Sequence, residues 1–129
     1  MTDANLLHLC SELLTIYREW IMEMQAEGIP AKVTVTWRSP TDQDTAKARR
    51  LSNASAGQSP HNCYDTEGNP ASKAFDFACF NDHAHYIADG TDWRYTKAGE
   101  IGKKLGLVWG GDWHHPDYDH LELANWKQS

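Results

Sequence analysis

Two histidines and one aspartate in this chain have the residue types and positions expected of metal ligands. His61 lies in a polar segment, Asp76 lies within the apolar segment 74–80, and His120 begins a short apolar segment near the end. A catalytic zinc ion takes three nitrogen or oxygen ligands from the protein and keeps one position open. A carboxylate among Ala and Phe side chains is costly to bury unless a cation compensates its charge. The sequence therefore predicts a metal site on His61, Asp76 and His120.

Two further residues suit the chemistry that such a metal supports. Asp117 stands three positions before His120, where a carboxylate can act as general base and later return the proton to a leaving amine. Arg38 follows a β-branched segment, and its planar fork of donors suits a substrate carboxylate or a developing oxyanion. Plainer interpretations stay open, with Asp117 as a loop acid that caps a turn and Arg38 as a surface salt-bridge partner.

Five short motifs occur in an order that resembles one known family. They are Trp37-Arg38-Ser39, Ser59-Pro60-His61, Ala74-Phe75-Asp76, Trp109-Gly110-Gly111-Asp112-Trp113 and Asp117-Tyr118-Asp119-His120. This set is similar to the motifs of the zinc D-Ala-D-Ala carboxypeptidases and L-alanyl-D-glutamate endopeptidases. That family includes phage endolysins and shares a fold with the Hedgehog signalling domain. The resemblance spans residues 33–123 and implies zinc on the three predicted ligands, base catalysis by Asp117 and substrate or oxyanion contact by Arg38.

Three more residues are candidates for roles beside the metal. Ser59 opens the motif that contains His61, and it can contact substrate or support that ligand. Glu122 shares a predicted strand face with His120, so it can orient the imidazole, although simple exposure also explains it. Trp113, like Trp109, can flank a substrate cleft or pack in the core.

Other histidines and one acid have simpler explanations. His83 and His85 can form a rival metal pair, but no third ligand follows at a suitable spacing. His114 and His115 lie near Asp117 and can contact substrate, but they also fit a polar turn. We expect Asp112 to bond the backbone amides of its own turn.

One departure from the family pattern lies between the first two predicted ligands. Asp76 follows His61 by fifteen positions, and family members usually place the two residues closer together. The extra residues fall in 62–73, where Glu-Gly-Asn-Pro is strong turn chemistry. We expect a turn-bearing insertion that narrows or covers the cleft, which affects substrate preference more than the metal site.

Hydrophobic periodicity predicts the elements that must position these residues. Helices are expected over 5–27, 40–51 and 95–105, and strands over 32–37, 74–80, 107–109 and 120–123. The first helix is expected to be capped by Thr2 or Asp3, and a long polar loop is expected over 53–73. These elements predict one α+β domain over 1–129, an antiparallel sheet with helices packed on one side.

Composition narrows the range of partners. The net charge is −6 with a pI near 5.5, so a nucleic-acid partner, which needs a basic surface, is not expected. The longest apolar stretches fall short of the ~20 residues that span a bilayer, and the N-terminal segment lacks the charged start of a signal peptide. Three cysteines without a paired spacing are expected to be reduced.

The resemblance and the composition together give a functional expectation. We expect a monomeric, zinc-dependent L-alanyl-D-glutamate endopeptidase that acts on peptidoglycan as a phage-type, bacteriolytic endolysin. It would wait in the cytoplasm, without stable membrane association, until a separate pore admits it to the periplasm or cell wall. The alternatives are a D-alanyl-D-alanine carboxypeptidase and a non-catalytic zinc-binding module. Asp117 speaks against the module, because a structural zinc site needs no base beside it.

Overall fold

A four-stranded antiparallel sheet is the centre of the fold. The computed structural model describes residues 4–39 and 59–128. Within them the strands are β1 (Ala31–Val35), β2 (Ala74–Cys79), β3 (Leu107–Trp109) and β4 (His120–Leu123). Their order across the sheet is β1-β2-β4-β3, and each neighbouring pair is antiparallel. The predicted α+β class with an antiparallel sheet is confirmed, and β3 and β4 have the predicted bounds.

Two α-helices, α1 (Ser11–Ala26) and α2 (Trp93–Lys104), pack on the same face of this sheet. Trp20 of α1 and Tyr95 of α2 both contact Phe77 of β2, with ring centroids 5.0 and 5.8 Å apart. The predicted one-sided packing is therefore observed. Neither helix in the described part of the chain is long and apolar enough to cross a membrane. The helix predicted over 40–51 lies outside the described residues.

The prediction of one helix from residue 5 to 27 is wrong at its start. Leu6–His8 form a separate 3-10 turn, and the backbone at Leu9 and Cys10 is extended. The cause is pairing with a distant segment, because Cys10 N–H donates to the Ser72 carbonyl at 2.9 Å and Ser72 N–H donates to the His8 carbonyl at 2.7 Å. This short ladder interrupts the helix, which resumes at Ser11. The predicted caps at positions 2 and 3 lie outside the described residues.

Strands β2 and β4 alternate between the core and the opposite face. Their register pairs Phe75 with Leu121 and Asp76 with His120. Phe75 and Leu121 are fully buried in the core, because strand side chains point to the two faces in turn. Asp76 and His120 therefore lie together on the face away from the helices.

Candidate metal centre

The backbone around His61 is fixed by its neighbours before its side chain is considered. Ser59 is buried, and its Oγ accepts the His61 N–H at 3.2 Å. The Asn62 side chain donates to the Arg38 carbonyl at 2.8 Å, and the Arg38 N–H donates to the His61 carbonyl at 3.0 Å. The Ser59 side chain thus supports the candidate ligand by bonding the His61 backbone. The short 3-10 turn Pro60–Asn62 is bound to the segment that follows β1.

The His61 ring is oriented by the carbonyl of Thr36. Its Nδ1 lies 2.7 Å from that oxygen, and a carbonyl oxygen can only accept, so Nδ1 carries the proton. In the neutral ring, Nε2 then presents a lone pair, and it lies 3.2 Å from Asp76 Oδ1. Two electron-rich atoms therefore face each other unless a positive charge lies with them.

His120 meets an acceptor at both of its ring nitrogens. Its Nδ1 lies 2.8 Å from Asp76 Oδ1, and its Nε2 lies 2.8 Å from Glu122 Oε1. Since Glu122 occupies Nε2, Nδ1 is the nitrogen available to a metal. One donor atom each from His61, Asp76 and His120 lies within 4.8 Å of the other two. The structure thus brings together the three side chains that the sequence singled out.

The electrostatics of these groups call for a cation. Burial raises the pKa of Asp76, but the charge of His61 and hydrogen bonds from His120 and His61 outweigh it and hold this pKa well below its usual range. Burial lowers the pKa of His120, but hydrogen bonds to Asp76 and Glu122 outweigh it and raise this pKa to about 10. In the absence of a metal, protons supply the positive charge. A divalent ion would supply it as well, and two imidazoles with one carboxylate form a common zinc donor set, so these residues fit a metal.

Asp117 lies at the edge of this cluster. Its Oδ2 is 3.9 Å from His120 Nδ1, and its side chain is half-exposed, which leaves it accessible to water and substrate. A group that receives a proton must lie within hydrogen-bond reach of the reacting water, and this position allows it. Asp117 therefore combines nearness to the candidate ligands with access to solvent.

Asp119 is a neighbour that the sequence reasoning missed. Burial, a hydrogen bond with Asp117 and the charge of Asp76 raise the pKa of Asp119 to about 8. The Asp-x-Asp-His spacing is the only sequence signal for it.

The comparison with protein families decides where this chain belongs. Residues 52–123, more than half of the chain, match the M15 peptidase family model described as D-alanyl-D-alanine carboxypeptidase. The chain belongs to the M15 peptidase family. The matched range contains all three candidate ligands and Asp117 but not Arg38. The resemblance inferred from the motifs is confirmed.

One relative and one solved structure are similar to this M15 peptidase. It is 32% identical over 114 residues to the peptidoglycan L-alanyl-D-glutamate endopeptidase CwlK of Bacillus subtilis, covering 75% of this chain and 62% of that protein. The L-Ala D-Glu endopeptidase ChiX of Serratia marcescens has a similar structure, with a TM-score of 0.68 and 18% identity. That similarity covers 93% of this chain and 84% of ChiX, which shows a shared fold.

Arg38 and Trp113 are two further candidates for contact with a substrate. Arg38 is buried and so is not a surface residue, and its backbone N–H and carbonyl both bond the His61 turn. The Trp113 ring lies 5.2 Å from the His120 ring and is partly exposed, so it covers one side of a candidate ligand and still faces solvent. The M15 peptidase therefore has one partly exposed aromatic side chain directly beside His120.

The remaining candidates lie elsewhere. His83 and His85 are exposed, and both backbone N–H groups donate to Asn81, with no group of three metal-ligating side chains around them in residues 4–39 and 59–128. His114 and His115 are exposed and contact each other, with ring centroids 4.7 Å apart. The expectation for Asp112 is wrong, because its exposed carboxylate pairs with the Lys103 ammonium at 2.9 Å.

The extra residues after His61 form a small hairpin. Tyr64 pairs with Pro70, and the Ala71 N–H donates to the Cys63 carbonyl at 2.9 Å. At the tip, Asp65 Oδ1 accepts two backbone N–H groups, and Gly68 has a φ of +84°, which glycine adopts without strain. The turn predicted in this segment is therefore observed, and its status as an insertion that narrows or covers the cleft stays a prediction.

Proposed function

We propose that this M15 peptidase is a zinc-dependent enzyme that hydrolyses the stem peptides of peptidoglycan, with the L-alanyl-D-glutamate bond as its substrate. The observation that carries the proposal is the convergence of His61, Asp76 and His120 with the Asp117 carboxylate 3.9 Å from a ligand nitrogen. The similarity to CwlK of Bacillus subtilis, a peptidoglycan L-alanyl-D-glutamate endopeptidase, supports the choice of substrate.

In this proposal, His61 Nε2, Asp76 Oδ1 and His120 Nδ1 would hold the zinc. When bound, zinc acidifies water and polarises the carbonyl of the peptide bond. Thr36 and Glu122 keep the two imidazole rings in the tautomers that leave these nitrogens free.

Asp117 moves the proton of the reaction. Its Oδ2 accepts a proton from the attacking water and later donates it to the leaving amine nitrogen, and such a base contributes about 10²–10⁴-fold. Arg38 is proposed to steady negative charge on the substrate or the oxyanion, as the family resemblance implies. The exposed face of Trp113 is proposed to contact the substrate beside His120.

The test compares Asp117→Ala with wild-type protein on purified peptidoglycan, with and without a chelator. We expect the variant to retain one zinc per chain and to lose about 10²–10⁴-fold in turnover. Asp112→Ala is the matched control, because it removes an exposed acid five positions before Asp117 that pairs with Lys103. Equal activity in Asp117→Ala would remove this residue from the mechanism. Wild-type activity that survives the chelator would remove the metal.

A second candidate is removal of terminal D-alanine. The family model that matches this chain is described as D-alanyl-D-alanine carboxypeptidase, which favours this alternative. Mass analysis of digested sacculi separates the two. New N-terminal D-glutamate supports the endopeptidase, and loss of terminal D-alanine alone supports the carboxypeptidase. A non-catalytic zinc-binding module would give neither product.

We also propose that the enzyme acts as a monomeric phage-type endolysin that remains in the cytoplasm until a membrane pore opens. The motif resemblance to phage enzymes supports this role. Expression in bacteria with and without a separately encoded pore protein tests it, since lysis is expected only when both are present. Lysis without the pore would contradict the cytoplasmic stage. Light scattering of the purified protein tests the monomer.

A further inference from the structure

Residues Asp117–Asp119, here termed the base segment, are bound to the rest of the fold at each position. The Asp117 N–H donates to the Gly110 carbonyl at 2.9 Å. The indole N–H of Trp109 donates to the Tyr118 carbonyl at 2.9 Å. The Phe77 N–H donates to the Asp119 carbonyl at 2.9 Å. Two of these three bonds come from adjacent residues at the end of β3.

Trp109 is well placed to fix the base segment because packing holds its own side chain in place. It is buried, and its ring is packed so tightly against α2 that a Cβ at Gly99 would lie 2.2 Å from it. Its backbone pairs with Leu121 in the sheet. The indole N–H therefore holds the Tyr118 carbonyl in a fixed position relative to the core. Tyr118 directly follows Asp117.

Gly110 approaches the same segment without a side chain. A Cβ at this position would lie 2.4 Å from the Asp117 carbonyl oxygen and 3.0 Å from Asp117 Cβ. Contact at 2.4 Å with backbone requires a shift, so the absence of a side chain at Gly110 sets how near Asp117 comes to β3. Any larger residue would displace Asp117 from the metal centre.

The side chain of Asp117 needs this backbone support. It is half-exposed, and its carboxylate stands 3.9 Å from His120 Nδ1, so its reach depends on where its Cα is held. We propose that Trp109 and Gly110 are positioning residues that hold Asp117 at its working distance from the metal centre. This inference rests on the proposed function for its meaning in catalysis. The anchoring itself can be measured without activity.

The test uses two tryptophans that make the same kind of bond. Trp109→Phe removes the indole donor to Tyr118, and Trp20→Phe removes another buried indole donor, which bonds the Ala98 carbonyl at 3.1 Å and not the base segment. We expect both variants to lose thermal stability to a similar degree. Only Trp109→Phe should lower kcat, by about ten-fold or more with KM and bound zinc unchanged, since small displacements of a catalytic group are costly.

Gly110→Ala is the second variant, and Gly102→Ala is its control. In the control, the atoms nearest the new Cβ belong to the Leu121 side chain, the closest at 2.4 Å, and not to backbone. We expect Gly110→Ala to lower kcat at constant KM and Gly102→Ala to affect stability alone. Unchanged kcat in both Trp109→Phe and Gly110→Ala, or equal losses in the two controls, would overturn the inference.

Amide hydrogen exchange separates failure of this inference from failure of the proposed function. The Asp117 amide is expected to exchange at least about ten-fold faster in Trp109→Phe than in Trp20→Phe, because its bond to Gly110 loses support. Faster exchange in a protein without peptidase activity would refute the function and keep the anchoring. Equal exchange in an active protein would refute the anchoring and keep the function.

Discussion

Strands β2 and β4 present two faces of opposite character. On one face, Phe75 and Leu121 are register partners and lie in the apolar core beneath the helices. On the other, Asp76 and His120 are register partners in a cluster of ionisable groups. The two faces differ by one residue along the same backbone, because strand side chains alternate.

The energetics of the two faces differ in sign. Burial of an aromatic or aliphatic side chain contributes about 1.5–3 kcal/mol to stability. Moving a charged group out of water into the protein costs on the order of several kcal/mol per ion, and only pairing with an opposite charge offsets this cost. The core face therefore holds the strands in place, and the other face uses that rigidity for chemistry. Substitutions on the two faces should accordingly change different observables.

The largest effect is expected from Asp76→Asn. The amide keeps the shape and can hydrogen-bond His61 and His120, but it is a poor zinc ligand, and a catalytic metal supplies several kcal/mol. We expect turnover to fall by about a thousand-fold and zinc content to fall sharply, with the metal-free protein still folded. Elemental analysis, hydrolysis assays and circular dichroism measure these. Retained zinc and turnover would break the distinction between the faces.

Next in size is Phe75→Ala on the core face. Loss of a fully buried aromatic side chain leaves a cavity, and such changes cost about 3–5 kcal/mol. We expect the free energy of unfolding, measured by urea denaturation, to fall by this amount. Zinc bound per folded chain should stay constant. A loss of zinc affinity without a loss of stability would contradict the prediction.

Glu122→Gln sharpens the comparison within the site face. The Glu122 carboxylate accepts from His120 Nε2 at 2.8 Å and so fixes the ring and increases its basicity. We expect zinc affinity to fall by about 10–100-fold, as is common for such partners. Competition with a chromophoric chelator measures it. Glu100→Gln on the exposed side of α2 is the control and should bind zinc as the wild type does.

The smallest effect is expected in the pH dependence of stability. As the pH rises, the stability of the metal-free protein should fall and the stabilisation by zinc should grow. Hydrogen bonds raise the pKa of His120 from 6.5 to about 10 in the metal-free protein, so the stability from this group is lost as the pH rises through that window. The raised pKa of Asp119 acts in the same direction up to about pH 8. Zinc competes with protons, so the stabilisation by zinc should grow with pH over the same range. Tm measured against pH, with zinc and with chelator, tests this. Parallel curves would refute it.

Local pattern was sufficient to predict much of the site. The alternation in His120–Leu123 predicted that His120 and Glu122 share one face. In the structure, His120 Nε2 lies 2.8 Å from Glu122 Oε1. Asp76 drew attention because an acid within an apolar strand needs compensation. These inferences depend only on the strand period and on the cost of burying charge.

Features that depend on distant neighbours were not predictable. The break before α1 depends on Ser72, and Arg38 is bonded through its backbone to the His61 turn, so both features involve partners remote in sequence. The raised pKa of Asp119 arises from its burial and from Asp117 and Asp76 together, so no local pattern reveals it.

The hairpin after His61 is closed at its foot by the bond between Ala71 and Cys63. Because the foot is fixed, the contour length beyond it can change while the two ligands keep their separation in space. Doubling a loop costs only about 0.6 kcal/mol in closure entropy. The tip is therefore a place where evolution or an engineer can lengthen, shorten or exchange chain without disturbing the donor atoms.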